Sequence, residues 1–126
     1  MTPAAPPFEG MAILRAQERQ VERIIAHAEP REIAGQIVPV LNSSVHHSEI
    51  GEALGEGVPF VAIYHDEPGG RRAWALRSRF GSDPVAVDVA GVARQFGGGG
   101  HRASAGFQTD LAWMPPRVPS PSSEEG

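Results

Sequence analysis

The stretch "FGGGGHRASAGF", Phe96 to Phe107, constrains this chain more than any other segment. Four consecutive glycines meet a histidine, then small residues, then a phenylalanine. A flexible linker is bordered by polar, low-complexity sequence. Here the borders are "VDVAGVARQF" and "ASAGF", both patterned like ordered elements, so the glycines read as positioned. Without Cβ atoms, successive glycines adopt positive φ and let backbone N–H groups converge into a nest that attracts anions, phosphate above all. A histidine directly after such a nest can donate a hydrogen bond to the same phosphate or protonate a leaving oxygen. The competing reading is a helix C-cap followed by a flexible turn, with His101 merely solvated. A P-loop is ruled out, because no Lys-Ser/Thr pair follows and the glycine spacing is wrong.

The elements around this segment predict a small α/β domain. Residues ~10–28 carry Leu14, Val21, Ile24, Ile25 and Ala28 as one apolar stripe of an amphipathic helix. "QIVPVLN" reads as a short buried strand ending at Asn42, with Pro39 pointing to an edge or irregular ladder. "SSVHHSEIGEALGEG" has helix-start spacing and periodic Ile50 and Leu54. "PFVAIYH" and "RRAWALRSRF", separated by "DEPGG", predict an antiparallel hairpin. Asp88 is a candidate N-cap for "VAGVARQF", whose Val89, Val92, Ala93 and Phe96 face a core, and Gly97 falls where a C-terminal glycine belongs. "ASAGF" closes the order α-β-α-β-β-α-β, which predicts a single small domain with a mixed β-sheet flanked by helices. The Pro- and Ser-rich ends predict a disordered segment over 1–9 and a disordered tail over 111–126, leaving 10–110 as the folded domain.

Charge narrows the range of partners. The formal net charge of −4 disfavours a protein that coats long nucleic acid through its bulk field. All eleven basic residues are arginines, however, and Arg71, Arg72, Arg77, Arg79, Arg94 and Arg102 cluster near the glycine segment. In "LRSR", a strand would point Arg77 and Arg79 to one face, and two neighbouring guanidiniums are tolerated where an anion bridges them. A solvated sheet face is the plainer alternative. Cysteine is absent, which excludes disulfides and thiolate metal sites. No apolar run approaches a membrane span and no signal pattern opens the chain, so the expected location is cytoplasmic, away from membranes. His46 and His47 would point apart on a helix, a poor arrangement for one metal ion.

Taken together, "VPVLNSS…SEIGEAL…PFVAIYH…WALRSR…VDVAGVARQFGGGGHRASAGF" closely resembles the C-terminal, DHHA1-type domain of DHH-family phosphoesterases, over residues ~10–108. That family includes single-strand exonucleases, short-oligonucleotide nucleases, cyclic-dinucleotide phosphodiesterases and exopolyphosphatase-like proteins. The resemblance implies a two-part enzyme: an N-terminal domain holding two manganese ions, and a smaller C-terminal domain gripping the substrate's phosphate and nucleoside end. The matching positions are Arg77 and Ser78 in the strand, Gly98, Gly99 and Gly100 in the loop, and His101, with Asn42 as a further match. Ser104 departs from the family's usual alanine.

A larger departure bears on activity. The sequence contains no Asp-His-His, and "VHH" at Val45–His47 opens on an uncharged valine. Two-metal phosphoester hydrolysis needs several carboxylate and histidine ligands. The expectation is therefore a phosphate- or nucleotide-binding module without catalytic residues or metal ligands of its own, manganese entering only with a partner metal domain. Its expected ligand is a short single-stranded oligonucleotide or a nucleotide. Two alternatives are a subunit of a split phosphodiesterase, exonuclease or exopolyphosphatase whose DHH domain is on another chain, and a non-catalytic nucleotide-responsive regulator.

Overall fold

The computed structural model describes residues 7–118. Three helices and six strands are found there: α1 (Pro7–Ile25), β1 (Glu29–Ile33), β2 (Gln36–Asn42), α2 (His47–Leu54), β3 (Val61–Glu67), β4 (Arg71–Arg77), α3 (Val89–Gln95), β5 (Gly99–His101) and β6 (Ser104–Asp110). The strands form one mixed sheet in the order β1-β2-β3-β4-β6-β5. Only the β2–β3 pair is parallel; the other four pairs are antiparallel. α1 and α2 cover one face and α3 the other.

Side-chain alternation in the strands feeds two cores. On the α3 face, Val38, Val40, Phe60, Ala62, Trp74, Leu76, Ala105 and Phe107 pack with Val89, Val92 and Ala93. The aromatic rings there interlock: Phe96 stacks on Phe107 at 4.5 Å between centroids, and Trp113 meets Trp74 edge-on at 5.4 Å. On the opposite face, Val21, Leu41, Ile50, Val61 and Ile63 form a smaller cluster beneath α1 and α2. Burial of each Val, Leu, Ile or Phe among them contributes roughly 1.5–3 kcal/mol.

The helix α3 ends as its sequence predicts. Asp88, in extended conformation, accepts from the Ala90 amide at 2.9 Å. At the other end Gly97 takes φ +85°, its N–H donates to Arg94 O, and the Gly98 N–H donates to Ala93 O at 2.9 Å. This pair of bonds is a Schellman motif, and it satisfies the carbonyls that the helix end would otherwise leave orphaned.

Several expectations need correction. β1 is an additional strand; it makes β2 an inner strand rather than an edge. Pro39 is tolerated there because it stands opposite Pro30 and before the β2–β3 ladder, whose pairs run from Val40 to Asn42. α1 begins at Pro7, inside the segment expected to be disordered, and Leu14 in its expected apolar stripe is 58% exposed. Residues 111–118, assigned to the disordered tail, pack on the domain instead. Trp113 and Met114 join the larger core, Pro115 is buried, and the Pro116 carbonyl accepts from the Glu32 amide along the free edge of β1. The rest of that tail, and residues 1–6, lie outside the described residues. The N-cap of α2 is His46, at φ +59°, without a side-chain cap bond.

Candidate functional site

The register of the sheet brings three of the polar residues onto one rung. Arg77 at the end of β4 pairs with Ser104 at the start of β6, and Ser104 pairs with His101 at the end of β5. Directly opposed residues of antiparallel strands project from the same face. Arg77, Ser104 and His101 therefore share the α2 face, with roughly 10 Å between the outer two strands at the usual strand spacing.

Above this rung, α2 supplies a notch. Gly51 lies against Arg77, so that a Cβ on Gly51 would stand 2.8 Å from the Arg77 Cβ and 3.1 Å from its Cγ. One turn later, a Cβ at Gly55 would stand 3.1 Å from the Arg79 Cγ. The "SEIGEALG" pattern thus leaves two lanes in which the stems of Arg77 and Arg79 run under the helix. A cleft of about 220 Å³ opens there, lined by Ser48, Gly51, Glu52, Arg77, Ser78, Arg79, Ala103 and Ser104. The Arg77 Nε is buried there without a hydrogen-bond partner. Among the described residues, none of Arg77, Arg79 and Arg102 has a carboxylate within 4 Å. Buried donors are ordinarily paired, and leaving one unpaired costs about 1–3 kcal/mol. A guanidinium without a carboxylate partner, in a cleft that serines also line, is a chemistry that accepts an oxyanion.

The glycine run has a different form from the expected loop. Gly99 to His101 are a short edge strand. Gly97 closes the helix, as described above. A Cβ at Gly98 would stand 2.0 Å from Gly106 O, and one at Gly100, where φ is +144°, 2.6 Å from the Ala105 Cα. Those positions are glycine because β5 lies close against β6. A Cβ at Gly99 would meet nothing within 4 Å, and by register Gly99 faces the same side as Ser104. So Gly99 is the glycine of the run that packing leaves unexplained, and its backbone is open to approach.

The other candidates divide. Ser78 lines the cleft, its N–H donates to Ala103 O at 3.0 Å, and its hydroxyl donates to Pro59 O at 3.4 Å. His101 is exposed, on the rung but outside the cleft wall. Asn42 is not brought to this site. It pairs with Tyr64 and lines a separate hollow of about 630 Å³ bordered by Arg23, His27 and Arg31. Beside it, Ser43 is buried and holds the turn through its hydroxyl, which donates to Val45 O at 2.8 Å. The roles of Gly51 and Gly55 were missed in the sequence. The four-residue spacing of two small residues in "SEIGEALG" was the available signal, but nothing local showed what would run beneath them.

Two carboxylates are tuned by their surroundings. The Arg72 guanidinium, bonded to Asp66 at 2.6 Å, holds that carboxyl below its ordinary range. Asp83 is held below its ordinary range by the backbone N–H groups of Gly57 and Val85, at 2.7 and 3.1 Å. Among the described residues, no three His, Asp or Glu side chains are grouped to hold a metal ion. His47 and His65 do approach, with ring centroids 5.9 Å apart. No described helix is long and apolar enough to cross a membrane.

No protein-family model and no curated protein matches the sequence. Among solved structures, the chain is similar to a pGpG-specific phosphodiesterase, PggH from Vibrio cholerae, with a TM-score of 0.59 and 16% sequence identity. The match covers 82% of this chain and 36% of that one, so the chain spans about a third of the length of the structure it resembles. At this identity the likeness is one of fold alone.

Proposed function

We propose that this chain is a nucleotide-binding domain of the DHH phosphoesterase type, which holds the terminal phosphate of a short single-stranded oligonucleotide or nucleotide. The observation that carries this reading is the Arg77 Nε, buried without a partner in a cleft of about 220 Å³ under Gly51. Small-molecule pockets usually run to about 300–1,000 Å³. This cleft is below that range, which suits one phosphate group and leaves the remainder of the ligand outside. The fold shared with a pGpG-specific phosphodiesterase supports the same reading, as does the glycine-histidine motif.

In this reading Arg77 and Arg79 neutralise the phosphate, with the hydroxyls of Ser48 and Ser104 within the cleft as further donors. Gly99 lets a phosphate oxygen approach the backbone, and His101, on the same rung, donates from the sheet edge. Glu52 in the cleft wall limits the negative charge the cleft can hold, which favours a short phosphate ligand over an extended polyphosphate. The family's manganese ions have no ligand set among the described residues. No hydrolytic step is therefore assigned to these residues; their part is binding and orientation, with hydrolysis belonging to a metal-bearing domain on the same or another polypeptide.

The test is calorimetric titration with pGpG and with GpG, which lacks the 5′-phosphate. Saturable binding of pGpG, weakened at least tenfold for GpG, is the expected result. Equal affinity for both, or no binding of either at millimolar concentration, contradicts the proposal.

A further inference from the structure

We infer that Phe80 and Arg102 form a base-stacking platform at the mouth of the Arg77 cleft, taking the nucleobase of a ligand whose phosphate lies inside; this rests on the phosphate-binding reading above. Phe80 directly follows Arg79, and Arg102 directly precedes Ala103, and both of those neighbours line the cleft. The two segments are tied together, since the Ser78 N–H donates to Ala103 O at 3.0 Å. The Arg102 guanidinium carbon stands 5.4 Å from the centre of the Phe80 ring.

What distinguishes Phe80 is an aromatic ring that is partly exposed and held next to an arginine. Phe60 and Phe107 are 0% and 5% exposed, whereas Phe80 is 38% exposed. Nor is it a loose side chain on a mobile turn. The Arg79 carbonyl accepts from the amides of Ser82 and Asp83 at 2.9 and 3.2 Å and from the Ser82 hydroxyl at 3.0 Å. Asp83 in turn fastens the turn to Gly57. Arg102 covers part of the ring, and the part left exposed is apolar surface that a base can cover. A guanidinium beside an aromatic ring, with Arg79 the preceding residue in the chain, is the pairing that single-stranded nucleic-acid sites use: the base stacks and the cations meet the phosphates. Because every base has a π-face, such a platform favours nucleotides over inorganic phosphates with little choice among bases.

The experiment compares pGpG with inorganic pyrophosphate on the full chain and on Phe80→Ala, Phe80→Trp and Arg77→Ala, with circular dichroism confirming that each variant is folded. The inference predicts that Phe80→Ala weakens pGpG by roughly 5- to 100-fold, the usual loss for one base–aromatic stack. Pyrophosphate affinity stays within twofold, and Phe80→Trp retains pGpG binding. If Phe80→Ala binds pGpG like the unaltered chain while Arg77→Ala loses both ligands, the platform is refuted and the phosphate site stands. If the unaltered chain binds neither ligand, the phosphate-binding reading fails and takes the platform with it.

Discussion

The stem of Arg77 runs through the space that Gly51 leaves empty: a methyl group on Gly51 would stand 2.8 Å from the Arg77 Cβ. Gly51→Ala should therefore shift the guanidinium without replacing any polar side chain of the cleft. Two opposing effects set the stability change. Alanine favours the helix by about 1 kcal/mol over glycine, while overpacking costs about 1–3 kcal/mol. A net loss of about 0–2 kcal/mol is expected in denaturant unfolding, alongside at least tenfold weaker binding of a phosphorylated dinucleotide.

Replacing Arg77 itself separates function from stability. Methionine keeps most of the stem and removes the nitrogen that is buried without a partner. Arg77→Met should leave the chain as stable as before or about 0–1 kcal/mol more stable, since a desolvation penalty goes with the donor. Binding of phosphate-bearing ligands should disappear. Unfolding midpoints and calorimetry on the same sample check both halves.

The glycine run makes a sharper contrast within three residues. Gly98→Ala would push a methyl to 2.0 Å from Gly106 O, a backbone atom that cannot step aside. It should destabilise the domain by more than about 2 kcal/mol, as overpacking against rigid backbone does. Gly99→Ala meets open space and should change stability by less than about 0.5 kcal/mol while weakening phosphate binding. Thermal melts of the two variants decide it.

That contrast marks where the sequence was legible. The hairpin of β3 and β4, the Asp88 cap and the Gly97 helix end could be read because each rests on contacts between near neighbours. β1 could not, since "EPREI" has neither alternation nor an apolar run, and it becomes a strand by pairing with β2 and by taking the Pro116 carbonyl on its other edge. The packing of 111–118 escaped for a similar reason: a Pro-rich segment with one tryptophan looks disordered until the aromatic cluster that receives Trp113 is known. Within the site, the face shared by Arg77 and Arg79 was readable from alternation. The separation of Asn42 from them was not, because it depends on β2 running parallel to β3, which carries the end of β2 away from the end of β4.

Acid should loosen the Asp83 turn. Its carboxyl is held below the ordinary value of 3.8, first by the Gly57 amide and then by the Val85 amide. A depressed carboxylate adds stability above its unfolded value and loses it as pH falls through the folded one. The deficit of Asp83→Ala relative to the unaltered chain should be steady at neutral pH. It should begin to close as pH falls through 3.8 and vanish once the pH is below the folded-state value. The carboxyl is not buried, so the effect is small, and paired urea titrations at pH 7, 4 and 2.5 would resolve it.

The central claim is that the buried Arg77 Nε is the donor for a ligand phosphate. The most direct measurement is the ¹H–¹⁵N resonance of the Arg77 Nε–H during titration with pGpG at low salt and without added metal. A saturable downfield shift, following the same isotherm as the Gly99 and His101 amides and absent with GpG, is the predicted result. An Nε–H signal that stays fixed while pGpG perturbs amides elsewhere would contradict it, and would move the ligand site away from the rung that joins Arg77, Ser104 and His101.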